Sequence, residues 1–165
     1  MAFTKCEWNE DVWKGATAGC TVFVGLFNVL AAEDGKEKAF EMLKKLGTAI
    51  GTQTGEMLKQ QLGAQKLDVE KLSEFVVAFN MPFGCQMEIE QETDSFRIRH
   101  HNCPLAAAYK MMGIDYETGK QICEDWGVAV FDNLMKILAP NGRYELVHYR
   151  EDWDDICEER YWPGE

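Results

Sequence analysis

Cysteine and histidine side chains cluster in the second half of the chain. Three of the six cysteines stand at positions 103, 123 and 157, and the pair His100-His101 lies just before the first of them. Thiols and imidazoles are the side chains that most readily carry out nucleophilic, acid–base or metal chemistry near neutral pH. We therefore expect the functional site to be built around this part of the sequence.

Cys103 is the most informative of these positions. It ends a predicted strand, is followed by Pro104 and precedes a predicted helix, whose first backbone amides and dipole would favour a thiolate. If the strand alternation continues to its end, Cys103 shares one face with Arg97, Arg99 and His101, whose positive charges would lower the thiol pKa further. The alternative is a buried structural cysteine.

Metal binding is a second role for the same cysteines. Cys103, Cys123 and Cys157 could supply three thiolates to one zinc ion, with His100, His101, His148 or an acid as the fourth ligand. Their spacings are long and match no local zinc motif. The alternative for Cys123 is core packing, because the helical stripe that contains it is otherwise apolar. The cysteines at 6, 20 and 85 have apolar neighbours, and we interpret them as structural.

Size and charge restrict the class of protein. The chain has 165 residues, 46% of them apolar, which suits one domain spanning 1–165 with a single core. The net charge of −11 argues against nucleic acid and against an anionic membrane as partners. A small acidic ligand is compatible, because a few local arginines outweigh a remote net charge. The first 13 residues lack the apolar run of a signal peptide, so we expect a cytoplasmic protein with reduced thiols.

Helices are predicted for the first 80 residues, over 9–33, 34–62 and a segment that begins after Asp68. The uncharged run 15–32 lacks flanking basic clusters, and we interpret it as a buried helix of a soluble core rather than a membrane span. In the second helix Gly47, Gly51 and Gly55 recur every four residues. This spacing allows another helix to approach closely, and it also motivates an expected homodimer.

The pattern changes at residue 81 from helical to alternating. Residues 83–89 and 96–101 alternate apolar and polar side chains around a turn at 92–94, which predicts a hairpin. In this hairpin Arg97 and Arg99 share a face with Glu88 and Glu90. Cross-strand ion pairing is therefore an alternative role for both arginines.

The remaining elements complete an α+β fold. Two helices over 105–112 and 116–138 follow the hairpin, and strands are predicted over 143–149 and 156–162. We predict N-terminal helices packed on an antiparallel sheet of about four strands, with an inserted helical pair. The helical part spans 1–80 and the sheet part spans 81–165.

The second half of the chain resembles the L-2-amino-thiazoline-4-carboxylic acid hydrolase family. The pattern comprises Asn102-Cys103-Pro104, Ala107 and Gly113, then Cys123-Glu124-Asp125, and finally Asp154-Asp155-Ile156-Cys157. The family is similar in layout to 4-vinyl-reductase-type domains, an α+β fold that elsewhere binds small ligands and sometimes zinc. The resemblance implies hydrolytic opening of a small ring acid that contains sulfur and nitrogen.

Roles for individual residues follow from this resemblance. Cys103 would be the nucleophile or a metal ligand, His100 or His101 would move protons, and Arg97 or Arg99 would hold the substrate carboxylate. The competing interpretation is a non-catalytic ligand-binding or sensing domain, in which Cys103, Cys123 and Cys157 hold a structural zinc.

Overall fold

Helices form most of the first half of the protein. In the computed structural model, which describes residues 3–63 and 67–164, a short strand precedes three long helices: β1 (Thr4–Lys5), α1 (Glu10–Asp34), α2 (Lys36–Leu62) and α3 (Val69–Asn80). The Asn9 side chain caps α1 by accepting hydrogen bonds from the amides of Asp11 and Val12. Asp68 caps α3 through the amide of Lys71. The helical nature of this half is thereby confirmed.

The second half contains the rest of the sheet and the predicted helical pair. Its elements are β2 (Met87–Gln91), β3 (Phe96–His100), α4 (Pro104–Met112), α5 (Tyr116–Ile122), α6 (Val128–Leu138), β4 (Arg143–His148) and β5 (Cys157–Trp162). Helices α5 and α6 run on as one helix through a π-helical turn, Cys123–Gly127. The α+β class is confirmed.

The sheet in the described residues has five antiparallel strands in the order β1-β2-β3-β5-β4, rather than about four. The additional strand is β1, and two residues are too few to show an alternating pattern. The β2–β3 hairpin is confirmed, with Ile89 opposite Ile98. It begins at Met87 rather than at residue 83, because Gly84 adopts a left-handed conformation with φ +70° just before it.

The two faces of the sheet carry different side chains. Phe96, Ile98 and His100 are buried toward the helices, whereas Arg97 and Arg99 lie on the opposite, outer face. The alternation ends at His100.

A tight turn follows β3, in which the Cys103 amide donates to the His101 carbonyl at 2.8 Å. Cys103 therefore lies on the inner side with His100. The prediction that Cys103 shares a face with Arg97 and Arg99 is wrong, because the strand stops three residues before it.

The glycine ridge of α2 packs against α6 and the π-helical turn. Gly47, Gly51 and Gly55 are buried, and a Cβ at Gly51 would collide with the carbonyl of Val130. The close helix approach expected from this spacing is thus found within the chain. Because the ridge is covered by the chain's own helix, it no longer supports the homodimer, which stays a prediction without that motive.

Helix α1 is buried on one side only. Val24 and Phe27 are buried, whereas Val22, Leu26 and Val29 are each more than half exposed. By length and composition α1 is the single helix in the described ranges that could cross a membrane, and 17% of its most apolar window is buried. A core helix that packs on one side passes the same test. The prediction that this helix is buried therefore holds for one of its faces.

Candidate active site

A cavity of about 200 Å³ lies between the inner face of the sheet and the surrounding helices. Its walls are mostly apolar, with Ile50 from α2, Leu105 from α4 and Phe131 from α6 among them. Pockets for drug-sized ligands hold about 300–1,000 Å³, so this cavity suits a smaller molecule. The polar groups that reach it include His100 at the end of β3 and Glu159 within β5.

Five of the six cysteines line this cavity: Cys20, Cys85, Cys103, Cys123 and Cys157. The three that the sequence pattern grouped are thus found around one space. Cys20 and Cys85, for which the sequence predicts a structural role, also line it, from α1 and from the segment before β2. The alternation that predicted an inward strand at residue 85 was the signal that could have placed Cys85 here.

Cys103 occupies the N-cap of α4, directly before Pro104 at the first helical position. A hydrogen bond from the Cys85 thiol, the charge of Arg150 and the backbone amide of Ala106 lower the pKa of Cys103 to about 5, although burial opposes them. Helix N-termini and neighbouring cations are the environments in which protein thiols ionise. These contacts therefore favour the thiolate form of Cys103.

The other cavity thiols behave in the opposite way. Burial raises the pKa of Cys20 to about 11 and that of Cys123 to about 12. Burial also raises the pKa of Cys157, and the hydrogen bond to Cys103 raises that of Cys85. Among these five thiols, Cys103 alone is shifted toward the nucleophilic form.

His100 and Glu159 form a buried pair across β3 and β5. The His100 Nε2 atom lies 3.2 Å from Glu159 Oε2, and Glu159 also accepts hydrogen bonds from the hydroxyls of Tyr161 (2.5 Å) and Tyr144 (3.2 Å). Burial would lower the pKa of His100, but the Glu159 carboxylate raises it above its usual value. Because Cys103 also raises the His100 pKa, the site contains a thiolate, an imidazole and an orienting carboxylate.

Arg150 is a site residue that the sequence did not predict. Its side chain is 2% exposed, Nε donates to Cys157 Sγ at 3.3 Å, and Nη1 donates to the Trp153 carbonyl at 3.1 Å. Tyr116 fixes the backbone by donating to the Arg150 carbonyl at 2.6 Å. Acidic residues follow it in the sequence, and nothing in the local pattern marks Arg150 as buried.

The other predicted site residues lie on the outer face of the sheet. Arg97 Nη2 is 2.6 Å from Glu90 Oε2, and Arg99 Nε is 2.8 Å from Glu158 Oε2. His101 Nε2 is 3.2 Å from a carboxylate of β2. None of these three lines the described cavity. The structure therefore does not bring them to Cys103, and the ion pairing that the sequence offered as an alternative accounts for Arg97 and Arg99.

The predicted zinc ligands make other contacts. Cys123 Sγ lies 3.6 Å from the Tyr109 hydroxyl, and Cys157 accepts a hydrogen bond from the Arg150 cation. Within residues 3–63 and 67–164, no three His, Cys, Asp or Glu side chains are grouped as metal ligands. A guanidinium beside a thiol disfavours a second cation there. The Arg150 cation therefore disfavours zinc beside Cys157, and the zinc site stays a prediction.

Comparison with known proteins supplies one match. A sequence model of the family described as L-2-amino-thiazoline-4-carboxylic acid hydrolase matches residues 17–141, about three quarters of the chain. The match runs from α1 to the end of α6, so it includes His100, Cys103 and Cys123 and stops before Arg150 and Cys157. No curated protein matches the chain.

Proposed function

Because the chain belongs to the L-2-amino-thiazoline-4-carboxylic acid hydrolase family, we propose that it opens a small ring carboxylic acid by hydrolysis, with Cys103 as the nucleophile. The family description supplies the substrate class. The observation that carries the chemistry is the position of Cys103, at the start of α4 and in the cavity shared with His100, Glu159 and Arg150. The partner that we propose is accordingly a small carboxylate-bearing molecule.

The reacting atom of such a ring is the carbon between its sulfur and nitrogen. In the proposed mechanism the Cys103 thiolate adds to this carbon, and one ring bond to the carbon breaks. The departing ring atom takes a proton from the His100 imidazolium. Neutral His100 then removes a proton from water, which attacks the same carbon and releases Cys103 as the thiolate.

Glu159 supports this sequence by holding the imidazole. Its carboxylate forms a hydrogen bond with Nε2 of His100. In the proposed mechanism Nδ1 is therefore the ring nitrogen that transfers the proton. The hydroxyls of Tyr144 and Tyr161 in turn hold Glu159. A base oriented by a hydrogen-bonded carboxylate is the arrangement on which nucleophilic hydrolases rely.

The apolar walls of the cavity favour a second candidate function. A small, largely apolar space beside the sheet also suits a non-catalytic ligand-binding or sensing domain. The two candidates differ in one measurable property, because only the first predicts that a bound ring acid is consumed.

The test is incubation of the purified protein with 2-amino-thiazoline-4-carboxylic acid, followed by mass spectrometry. We expect a product heavier than the substrate by one water molecule. Cys103→Ser should lose this product while its circular dichroism spectrum stays unchanged. Cys6→Ser is the matched control, because Cys6 packs on the sheet away from the cavity lining.

Two results would redirect the proposal. Binding of the ring acid without product would favour the sensing domain. Loss of both product and bound zinc in each of Cys103→Ser, Cys123→Ser and Cys157→Ser would replace the cysteine mechanism with the metal site. The cytoplasmic location and the homodimer stay predictions, which fractionation and light scattering would test.

A further inference from the structure

Arg150 has donor capacity that the protein does not use. It is the sole arginine or lysine among the described residues that line the cavity. Nε and Nη1 donate to Cys157 and Trp153, but Nη2 is buried without a hydrogen-bond partner in the described part of the chain. Leaving a buried donor of a charged group without a hydrogen bond costs free energy of folding. We therefore expect an acceptor at this atom.

The guanidinium is also held rigidly. A guanidinium presents its N–H donors in one plane, and fixing Nε and Nη1 fixes the direction of Nη2. The segment that carries Arg150 is tethered by the Tyr116 hydroxyl, and the Trp153 ring packs between Tyr116 and Tyr109, with ring centroids 5.7 and 5.4 Å away. The free donor is thus preorganised rather than mobile.

The arginines of the outer face already pair with carboxylates, and they do not line the cavity. Arg97 contacts three carboxylates, from Glu90, Glu92 and Glu158, and Arg99 contacts Glu158. A substrate carboxylate bound there would compete with these partners, and it would lie on the opposite side of the sheet from Cys103. Arg150 faces the same cavity as Cys103 and needs no partner to leave.

We propose that Arg150 binds the carboxylate of the ring acid through Nη2 and so determines the specificity of the cavity for small monocarboxylates. The identity of the ring rests on the proposed function, whereas recognition of the carboxylate does not require turnover. Arg150 also lies close enough to Cys103 to lower the pKa of that thiol, so the same cation would hold the substrate beside the nucleophile.

Two unreactive probes test binding of the carboxylate separately from the effect of Arg150 on the Cys103 thiol. Thiazole-4-carboxylate and thiazole-4-carboxamide share a ring and differ in charge, and their affinities can be measured by titration calorimetry. We expect the wild type to bind the carboxylate at least about tenfold more tightly, as charge-assisted hydrogen bonds predict. Arg150→Gln should reduce the preference to within about twofold, and Arg150→Lys should retain part of it, because an ammonium keeps the charge without the planar fork.

Arg143→Gln is the matched control, because Arg143 is an exposed arginine at the start of β4 and does not line the cavity. It should keep the wild-type preference. Equal wild-type affinity for the two probes, or binding of neither, would overturn the proposal. So would an Arg150→Gln variant that keeps the tenfold preference, or an Arg99→Gln variant that loses it.

A measurement on the wild type covers the case in which the Arg150 variants do not fold. The carboxylate should protect Cys103 from iodoacetamide at concentrations at which the carboxamide does not, and equal protection would overturn the proposal. The proposed function fails separately: carboxylate preference without ring opening refutes the hydrolase and leaves Arg150 in place. Conversely, ring opening with an unchanged kcat/KM in Arg150→Gln would refute the role of Arg150 and leave the hydrolase in place.

Discussion

Glu158 and Glu159 are consecutive residues of β5, and they lie on opposite faces of one sheet. On the outer face, Glu158 is 3.2 Å from Arg97 and 2.8 Å from Arg99. On the inner face, Glu159 is 3.2 Å from His100 and accepts a hydrogen bond from Tyr161. The residue types and distances are nearly the same, but the surroundings differ.

The outer face is a network in which charges share several partners. Arg97 and Arg99 keep 29% and 35% of their side chains exposed, and Arg160 adds a further cation beside Glu92. Because both arginines are partly exposed, water can replace part of a lost contact, so each ion pair contributes little to the free energy of folding although Glu90 and Glu158 are themselves buried. Such a face stabilises the sheet, and its arginines already lie beside carboxylates.

The charged groups of the inner face each rely on a particular set of buried contacts. The cations there are buried as well as the carboxylate: His100, Glu159 and Arg150 are all less than a tenth exposed, whereas Arg97 and Arg99 on the outer face are about a third exposed. A group with spare hydrogen-bonding capacity in such surroundings acts on a ligand more strongly than an exposed one. Burial and unused donors, rather than the number of arginines, therefore locate the chemistry in this protein.

Cys103→Ser tests the inner face most directly. If the thiolate is the nucleophile, ring opening should fall by more than about 10³-fold, since removal of a nucleophile abolishes the covalent route. The rate is measured by product mass. Activity within tenfold of the wild type would show that the inner face does not supply the nucleophile.

Selective alkylation gives the next largest effect. At pH 7 Cys103 is ionised, whereas the Cys20 thiol, with a pKa near 11, is almost wholly protonated. Iodoacetamide should therefore label Cys103 more than about 10²-fold faster than Cys20, as mass spectrometry of peptides would show. The labelling rate of Cys103 should rise with pH through about 5.

Cys85 provides the variant for this second test. Removing its thiol in Cys85→Ala deletes a hydrogen bond that favours the ionised form of Cys103, so the midpoint of labelling should move to higher pH. Cys6→Ala should leave the midpoint unchanged. An unchanged midpoint in Cys85→Ala would mean that Arg150 and the helix terminus suffice to hold the thiolate.

Much of the fold follows from local patterns in the sequence. Alternation predicted the β2–β3 hairpin, and Asp68 marked the start of the third helix. These signals arise from neighbours within one strand or one helical turn. Strand β1, two residues long, and the π-helical turn at Cys123–Gly127 lack any such local signal.

The site was predictable only in part, because its geometry depends on where β3 stops. Extending the alternation past His100 joined Cys103 to the wrong arginines. Arg150 was missed for a related reason, since its burial depends on Tyr116 and Trp153 rather than on its own acidic neighbours. Long-range contacts of this kind leave no trace in a local pattern.

Matched substitutions in β5 measure the difference in stability between the faces. Glu159→Gln should lower the free energy of unfolding by about 2 kcal/mol, because it weakens a buried hydrogen bond to a charged group, while His100 limits the loss by giving up its proton. Glu158→Gln should cost about 1 kcal/mol or less, because Arg97 keeps two other carboxylates and Arg99, about a third exposed, can be solvated by water. Urea denaturation near pH 6 checks both, and equal costs would remove the distinction.

The smallest expected effect is the pH dependence of that Glu159→Gln cost. Folding raises the pKa of His100 above 6.5 through the Glu159 carboxylate, so this stabilisation is complete below pH 6.5 and is lost as pH rises through the folded value. Folding lowers the pKa of Glu159 below 4.5 through His100, against the effect of burial, so that part is present above pH 4.5 and is lost at lower pH. The cost should therefore be largest between pH 4.5 and 6.5.

The same series on Glu158→Gln provides the control. The partners of Glu158 are arginines, whose guanidinium groups stay protonated throughout this range, so its cost should stay level from pH 5 to 9. Urea unfolding of both variants and the wild type at pH 5.5 and 8.5 is sufficient. A Glu159→Gln cost that is as level as that of Glu158→Gln would show that His100 carries no proton in the folded protein, and with it the proposed general acid would be lost.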